Sequence, residues 1–328
     1  NGRRATNIRR STGGHNPPSP IRYQILHRID TGSRTPEHVP YPVTPDASDP
    51  HTPGASPPLP PSLPTDRALI GPLIGMVHVA ALPGTPRSES TPSAIAERAL
   101  AEATVLREAG YDAILIENMH DLPYLAGDRV GHEITATMTR VAFEIAALGL
   151  PTGVQILAAA NTQALAAAHA AGASFVRCEN FAFAHVADEG LMPEAQAGPL
   201  LRERRRIGAA TVRVIADVKK KHASHAITAD LPLEAAAEAA EFFGADAVIV
   251  TGQTTGRPTD PDELRRVRRA VSIPVIVGSG VNHQTAPDLL DLADALIVGS
   301  AIKRDGIWSN PVDPRRAADL VRAAKAGA

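Results

Sequence analysis

Eight short apolar segments, separated by stretches with helical spacing, constrain the fold of this chain more than any other feature. Eight strand–helix units over residues 67–328 match the size of a (β/α)₈ barrel. We therefore predict an α/β fold of the TIM-barrel class, with a doubly wound open sheet as the alternative. The predicted strands are residues 73–79, 113–118, 152–157, 175–180, 213–219, 247–251, 274–278 and 295–299. Helices are predicted at residues 92–109, 135–148, 162–171, 233–243 and 261–270.

A weak internal repeat favours the same architecture. The segments AGYDAILIEN, AGASFVRCEN and FGADAVIVTG each place a glycine where a helix would end and an apolar strand directly after it. Thr91 and Asp260 each precede a proline, which is the order of capping residue and first-turn proline that helix starts prefer.

Residues 1–66 differ from the rest of the chain in composition. They hold 14 of the 29 prolines and show no sustained apolar periodicity, so we predict a disordered tail that precedes the barrel domain. Up to Arg34 this segment has seven arginines and one acidic residue, Asp30. That bias is compatible with a transit peptide, with a disordered leader, or with a translation start placed too far upstream.

The overall composition excludes several classes of protein. The 33 basic and 35 acidic side chains give a net charge of −2, so nothing in the charge balance favours nucleic acid as a partner. No apolar run reaches the roughly 18 residues of a membrane-spanning helix. A single cysteine, Cys178, excludes an internal disulfide framework. These features predict a cytoplasmic protein; assembly into a homo-oligomer stays open.

Charged side chains gather at the predicted carboxyl ends of the strands, which is where TIM barrels carry their chemistry. Because side chains alternate along a strand, Arg177 and Glu179 should share the lumen face, as should Asp217 and Lys219, whereas Cys178 should be a small buried thiol facing the helices. The predicted catalytic residues are Glu117, Asp217 and Lys219. The predicted substrate-positioning residues are His78, Asn118, Arg177, Glu179, His222 and Thr251.

Two interpretations of this charge cluster remain. Buried ions are costly unless they are paired, so the cluster could be a structural network that fills the lumen. It could instead be a site with tuned protonation states, in which a carboxylate moves a proton and Lys219 stabilises the resulting negative charge. A Schiff base at Lys219 would require a lowered pKa, and neighbouring carboxylates would raise it.

Two glycine turns follow the last two predicted strands and indicate an anion site. Barrels frequently bind phosphate between these loops, where backbone N–H groups can approach an anion closely. The predicted phosphate-binding residues are Gly278, Ser279, Gly280, Gly299 and Ser300. The chain has neither a Walker A sequence nor a G-x-G-x-x-G fingerprint, and it has no HExxH spacing. We therefore predict no metal and no cofactor.

The motifs taken together resemble the BtpA/SgcQ family over roughly residues 70–325. The resemblance is carried by the segments IGMVH, LPG, EN, DLP, FVR, DVK, KH, VTGQTTG, GSG and GSAIK, in this order. It implies a barrel of the ribulose-phosphate-binding type in which the two glycine loops grip a phosphate. It also implies that cyanobacterial members are associated with photosystem I biogenesis as peripheral thylakoid proteins, and that other members occur among sugar-uptake genes.

Two functions are therefore open. The first is a barrel that binds a small phosphorylated metabolite, such as a sugar or nucleoside phosphate, and carries out acid–base chemistry as an isomerase, lyase or transferase. The second, implied by the resemblance alone, is a non-catalytic factor for photosystem I biogenesis or stability, peripheral to the thylakoid membrane.

Overall fold

The computed structural model describes residues 70–252 and 259–326. The predicted proline-rich tail, its boundary with the barrel at residues 66 and 67, and residues 253–256 of the VTGQTTG segment lie outside the described residues.

Within the described residues the strands are short and mostly buried. In chain order they are β1 (Leu73–His78), β2 (Ala113–Glu117), β3 (Thr152–Gln155), β4 (Phe175–Cys178), β5 (His185–Ala187), β6 (Gly190–Met192), β7 (Arg213–Val218), β8 (Ala223–Ser224), β9 (Ala247–Val250), β10 (Val275–Val277) and β11 (Ala295–Val298).

Helices follow the barrel strands along the chain. They are α1 (Pro92–Ala109), α2 (His132–Ala146), α3 (Asn161–Ala171), α4 (Ala197–Arg206), α5 (Leu233–Phe242), α6 (Pro261–Ala270), α7 (Ala286–Leu290) and α8 (Pro314–Ala326). Two of the predicted caps are present, because Thr91 Oγ1 accepts from the Ala94 N–H at 3.3 Å and Asp260 Oδ1 accepts from the Asp262 N–H at 2.9 Å.

Eight of these strands form a closed parallel barrel, in the order β1, β2, β3, β4, β7, β9, β10 and β11, and β11 pairs again with β1. The predicted (β/α)₈ architecture is confirmed, and the open-sheet alternative is excluded by the pairing of Leu73 with Leu296. Because all eight strands are parallel, their carboxyl ends open at one end of the barrel and bring their final side chains together.

The lower part of the lumen is filled with apolar side chains, which include Ile74, Leu115, Phe175 and Ile249. Gly153 makes room for the Phe175 ring, since a Cβ at residue 153 would lie 2.0 Å from Phe175 Cε2. The lumen is therefore a packed core and not a pore, and only its mouth is left for polar groups.

Alternation along β4 agrees with the sequence prediction. Val176 and Cys178 belong to the core between the strands and the helices, whereas Phe175 packs in the lumen and Arg177 lies at its mouth. Burial raises the pKa of the Cys178 thiol well above its usual range, so this cysteine is an inert core residue.

A second sheet, which the sequence analysis did not predict, lies outside the barrel. It consists of β5, β6 and β8 in antiparallel pairing, with β5 in the centre. The hairpin turn between β5 and β6 carries Asp188 and Glu189, both of which reach the mouth of the barrel. In the described residues we find no helix with the length and apolar character needed to cross a membrane.

Candidate functional site

A cavity of about 490 Å³ lies at the carboxyl ends of the barrel strands. It brings together most of the residues singled out in the sequence. Six of the nine predicted catalytic and positioning residues line it: His78, Glu117, Arg177, Glu179, Asp217 and His222. All five predicted phosphate-binding residues line it as well: Gly278, Ser279, Gly280, Gly299 and Ser300.

The two glycine loops present unused hydrogen-bond donors on one wall of this cavity. The backbone N–H groups of Ser279, Gly280, Gly299 and Ser300 donate to no acceptor among the described residues. Gly280 has a φ of 73°, in the left-handed region that favours glycine. Four free N–H groups from two adjacent loops are the arrangement that binds an anion.

Gly278 does not offer its N–H to an anion, because that N–H donates to the Val250 carbonyl at 2.9 Å. Its contribution to the loop is the space that a side chain would fill. A Cβ at residue 278 would lie 2.6 Å from Ile249 Cγ2 and 3.8 Å from the Arg177 Nη2 atom. Glycine at this position therefore avoids a clash with Ile249, and the Arg177 guanidinium lies close to the loop of residues 278–280.

A buried ion pair joins β4 to β7 at the mouth of the barrel. Arg177 Nε donates to both carboxylate oxygens of Asp217, at 3.2 and 3.1 Å, and both side chains are almost fully buried. Burial raises the pKa of Asp217, although Arg177 opposes that shift. Arg177 itself remains charged, because Asp217 and Glu117 outweigh the effect of burial and its pKa lies above the ordinary value.

Glu117 is a buried carboxylate of the cavity, and its side chain makes no hydrogen bond within the described part of the chain. Burial raises the pKa of Glu117, while Arg177 and Lys221 oppose the shift and Glu179 and Asp217 add to it. The side chain of Glu117 is therefore buried, held by no hydrogen bond within the described residues, and has a pKa above that of an exposed glutamate.

A second ion pair closes the cavity on the side of β4. Lys220 Nζ donates to Glu179 Oε1 at 3.0 Å and lies 3.9 Å from Glu189 Oε2 of the β5–β6 turn. Glu179 Oε2 also accepts from the Ala159 N–H at 2.9 Å. Burial lowers the pKa of Lys220, but the nearby carboxylates outweigh it and the pKa lies above the usual range.

The predicted position of Lys219 is wrong. We expected Lys219 to share the lumen face with Asp217, but the chain leaves the extended conformation at Lys219, where φ is 46°. Its ammonium group turns away from the main cavity and donates to the carbonyls of Thr228, at 3.3 Å, and Leu231. Lys220 and Lys221 line the cavity instead.

Two further predicted positioning residues lie outside the cavity lining. Asn118 Nδ2 donates to Asp121 Oδ2 at 2.8 Å and its Oδ1 accepts from the Leu157 N–H at 2.7 Å, while Asp121 Oδ1 accepts from the Leu82 N–H at 2.8 Å. Asn118 thus holds three loops in place and has no free group for a substrate. Thr251 is buried behind the wall, and its hydroxyl has no partner in the described residues.

The backbone fixes the tautomer of the neutral His78 ring. Its Nδ1 lies 2.8 Å from the carbonyl oxygen of Trp308, which can only accept, so Nδ1 carries the proton and Nε2 has the lone pair. Burial lowers the pKa of His78 to about 3, and the charge of Lys303 adds to this effect. The ring lies next to Gly299, since a Cβ there would be 3.6 Å from His78 Nε2.

We expect His78 to stay neutral from pH 8 to pH 5 in the folded protein. Its pKa is lower in the folded chain than the usual 6.5, so the unfolded chain binds the additional proton and stability falls as the pH drops from 6.5 towards 3. Nitrogen NMR of ring-labelled protein, assigned with His78→Gln, tests this directly. The urea-unfolded chain is the control, and a folded His78 that titrates near 6.5 would contradict the assignment.

The fold also brings to the cavity residues that were not predicted from the sequence, among them Gln155, Lys220, Lys221 and Trp308. Gln155 was visible at the end of a strand, and its buried Oε1 has no partner among the described residues. The two lysines were visible beside Lys219, but the turn that aims them was not. Trp308 follows β11 in a loop without any motif. Among the described residues, no cluster of three or more histidine, cysteine or acidic side chains could hold a metal ion.

Comparison with known proteins agrees with this arrangement. The model of the BtpA family matches residues 70–326, which include all the barrel strands and helices described above. The chain belongs to the BtpA family.

Relatives in this family come from distant organisms. A Caenorhabditis elegans protein, described as uncharacterized and mitochondrial, is 41% identical over 259 residues, which cover 76% of this chain and 91% of the relative. The photosystem I biogenesis protein BtpA of Synechocystis is 34% identical over 258 residues, which cover 78% of this chain and 88% of the relative.

Solved structures share the fold of this BtpA family member at low sequence identity. A tryptophan synthase structure from Mycobacterium tuberculosis matches with a TM-score of 0.50 and 18% identity, covering 79% of this chain and 92% of the other. This likeness shows the barrel fold alone.

Proposed function

We propose that the cavity binds a small phosphorylated metabolite, a sugar or nucleoside phosphate, and carries out acid–base chemistry on it. The observation that carries this proposal is that Ser279, Gly280, Gly299 and Ser300 line the cavity and that their backbone N–H groups have no acceptor among the described residues. Buried N–H groups without a partner are rare in folded proteins, and Ser279 is buried while the other three residues are partly buried. A phosphate could accept hydrogen bonds from several of these groups at once.

Size and charge support the same ligand class. A volume of about 490 Å³ lies within the usual range of small-molecule sites, roughly 300–1,000 Å³. The Arg177 guanidinium approaches the first glycine loop, and Lys220 and Lys221 line the same cavity. These three cations would favour an anionic ligand over a neutral one.

Glu117 is the group best placed to move a proton. It combines burial, a raised pKa and the absence of a hydrogen bond among the described residues, which are the properties of a general acid or base at neutral pH. Asp217, the other predicted acid–base residue, is held by Arg177 and is better suited to orienting that guanidinium. Lys221 takes the role of electrostatic partner that the sequence had assigned to Lys219.

The order of events follows from these positions. The glycine loops hold the phosphate and fix the substrate body between Glu117 and the cations. Glu117 removes a proton from the substrate, Arg177 and Lys221 stabilise the negative charge that develops, and Glu117 returns the proton at another atom. Proton transfer of this kind serves an isomerase, a lyase or a transferase.

A role in photosystem I biogenesis is the alternative, and the printed name of the Synechocystis relative supports it. The Caenorhabditis elegans relative has a higher identity to this chain, 41% against 34%, and an animal has no photosystem. A function common to these relatives therefore favours metabolite binding over a thylakoid role.

Replacing Gly299 with leucine should abolish binding of phosphorylated ligands and leave the fold intact. The φ of residue 299 is −110°, and a Cβ there has ordinary contacts with His78 and Met76, so the larger side chain projects into the cavity. Thermal-shift measurements with a panel of sugar and nucleoside phosphates test this, because a ligand at 100 times its Kd stabilises the native state by about 2.7 kcal/mol.

Gly198→Leu is the matched control. Gly198 lies in α4 away from the cavity, and a Cβ there meets only the flexible end of Arg202, at 3.2 Å. This variant should respond to ligand as the parent does. Equal ligand stabilisation of Gly299→Leu and the parent would place the phosphate site elsewhere.

A further inference from the structure

The three cations at the cavity differ in their partners. Arg177 is paired with Asp217 and Lys220 with Glu179, both at hydrogen-bond distance. Lys221 lines the same cavity, yet across residues 70–252 and 259–326 it makes no hydrogen bond and no ion pair within 4.0 Å. Of these three cations, Lys221 is therefore the one without a carboxylate at ion-pair distance among the described residues.

The backbone conformation on both sides of Lys221 places its side chain at the cavity. Lys219 and His222, on either side of the pair Lys220–Lys221, both have left-handed conformations, with φ of 46° and 57°. This conformation is unfavourable for a residue with a side chain and persists only where the surroundings impose it. The double turn sends Lys219 away to the Leu231 carbonyl and directs Lys220 and Lys221 into the cavity.

The surroundings of Lys221 favour its neutral form. Burial and the charge of Arg177 lower its pKa, and the opposing carboxylates, Glu117 and Asp217, do not restore it. Those two carboxylates have raised pKa values themselves, which weakens their support for a charged lysine. A lysine with a lowered pKa has a larger neutral fraction than an exposed lysine, and the neutral amine is the form that acts as a nucleophile.

We propose that Lys221 forms an imine with a phosphorylated aldehyde or ketone, which narrows the substrate class of the proposed function and rests on its phosphate site. The Lys221 Nζ lone pair adds to the carbonyl carbon, and one proton of the resulting positively charged nitrogen moves to the former carbonyl oxygen to give a carbinolamine. Protonated Glu117 then gives its proton to that hydroxyl, which leaves as water as the C=N bond forms. Addition of water reverses both steps, so no oxidant or reductant is consumed.

Reductive trapping tests this proposal on the full chain. Dihydroxyacetone phosphate is the carbonyl probe, sodium cyanoborohydride reduces any imine to a stable amine, and peptide mass spectrometry locates the adduct. We expect an adduct at Lys221 in preference to Lys220 and to Lys325 of α8. Glycerol 3-phosphate, which lacks the carbonyl, should give none, and Lys221→Arg should lose the adduct.

The outcomes separate this inference from the phosphate site on which it rests. If Lys221→Arg is still stabilised by glycerol 3-phosphate in a thermal-shift assay but the parent gives no adduct, imine formation is overturned and phosphate binding stands. If the parent and Gly299→Leu give the Lys221 adduct equally, imine formation at Lys221 is confirmed. Phosphate binding at the glycine loops is then contradicted. Equal labelling of Lys221 and Lys325 would overturn the special reactivity of Lys221.

Competitive acetylation provides a second measurement that needs no substrate. The pH dependence of labelling at each lysine reports its pKa, and Lys221 should react at lower pH than Lys325 in the parent. An Arg177→Met variant should raise the pKa of Lys221, because the neighbouring positive charge is removed. A Lys221 that labels only at the usual pH of an exposed lysine would contradict the proposal.

Discussion

Replacing Asp217 with leucine should lower the free energy of unfolding by about 3–5 kcal/mol, the usual cost of removing one partner of a buried ion pair. Arg177 would remain buried at the mouth of the barrel without the carboxylate that accepts both of its Nε hydrogen bonds. Glu117 contributes to the field at Arg177 but makes no hydrogen bond with it, so it cannot replace Asp217. Urea denaturation followed by circular dichroism measures the loss.

Two companion variants make the measurement specific. The double variant Arg177→Met with Asp217→Leu should recover most of the loss, since an apolar pair replaces both charges. Asp319→Leu removes one partner of the exposed Arg322–Asp319 pair on α8 and should change stability by less than about 1 kcal/mol. If Asp217→Leu costs no more than Asp319→Leu, the pair does not organise the site.

Changing Glu117 to glutamine should reduce turnover by roughly 10²-fold or more while ligand binding persists, because glutamine keeps the shape and loses the transferable proton. A substrate identified by the thermal-shift screen allows the rate to be measured. Glu144→Gln, at a partly exposed position of α2 outside the cavity, is the control and should turn over normally. Normal turnover by Glu117→Gln would assign the proton transfer to another group.

The same substitution predicts a pH dependence of stability that can be measured without a substrate. The folded-state pKa of Glu117 lies above the ordinary 4.5, so its stabilising contribution is complete below 4.5 and is lost as the pH rises through the folded value. The stability of Glu117→Gln relative to the parent should therefore increase as the pH is raised from about 4.5. A pH-independent difference would mean that the carboxyl is not perturbed.

The barrel could be predicted from the sequence because each strand is a compact apolar run flanked by helical spacing. All eight barrel strands fall within the predicted segments, but the segments were too long at their carboxyl ends. The strand predicted to reach residue 118 ends at Glu117, and the one predicted to reach residue 219 ends at Val218. Polar side chains at these ends bind loop backbone, as Asn118 does, and the ladder stops there.

The site was harder to predict where the backbone changes direction. Strict alternation of side chains after Asp217 predicts that Lys219 faces the lumen. The left-handed backbone conformation of Lys219 ends this alternation and turns its side chain away from the cavity. The sequence KKKH does not indicate which of its lysine side chains points away from the cavity. In the structure it is Lys219, whose ammonium group donates to the carbonyls of Thr228 and Leu231. The β5–β6–β8 sheet was missed for a related reason: its strands have two or three residues each, too few for a periodic signal.

Trp308 gives this protein a built-in optical probe of its own cavity. It is the single tryptophan of all 328 residues, and it lines the cavity with its ring 6.1 Å from that of His78 and 5.0 Å from that of His120. Indole fluorescence excited at the red edge of protein absorption therefore originates at one point beside the second glycine loop. Ligand entry can be followed through intensity and emission wavelength in the unlabelled chain, with no background from any other indole.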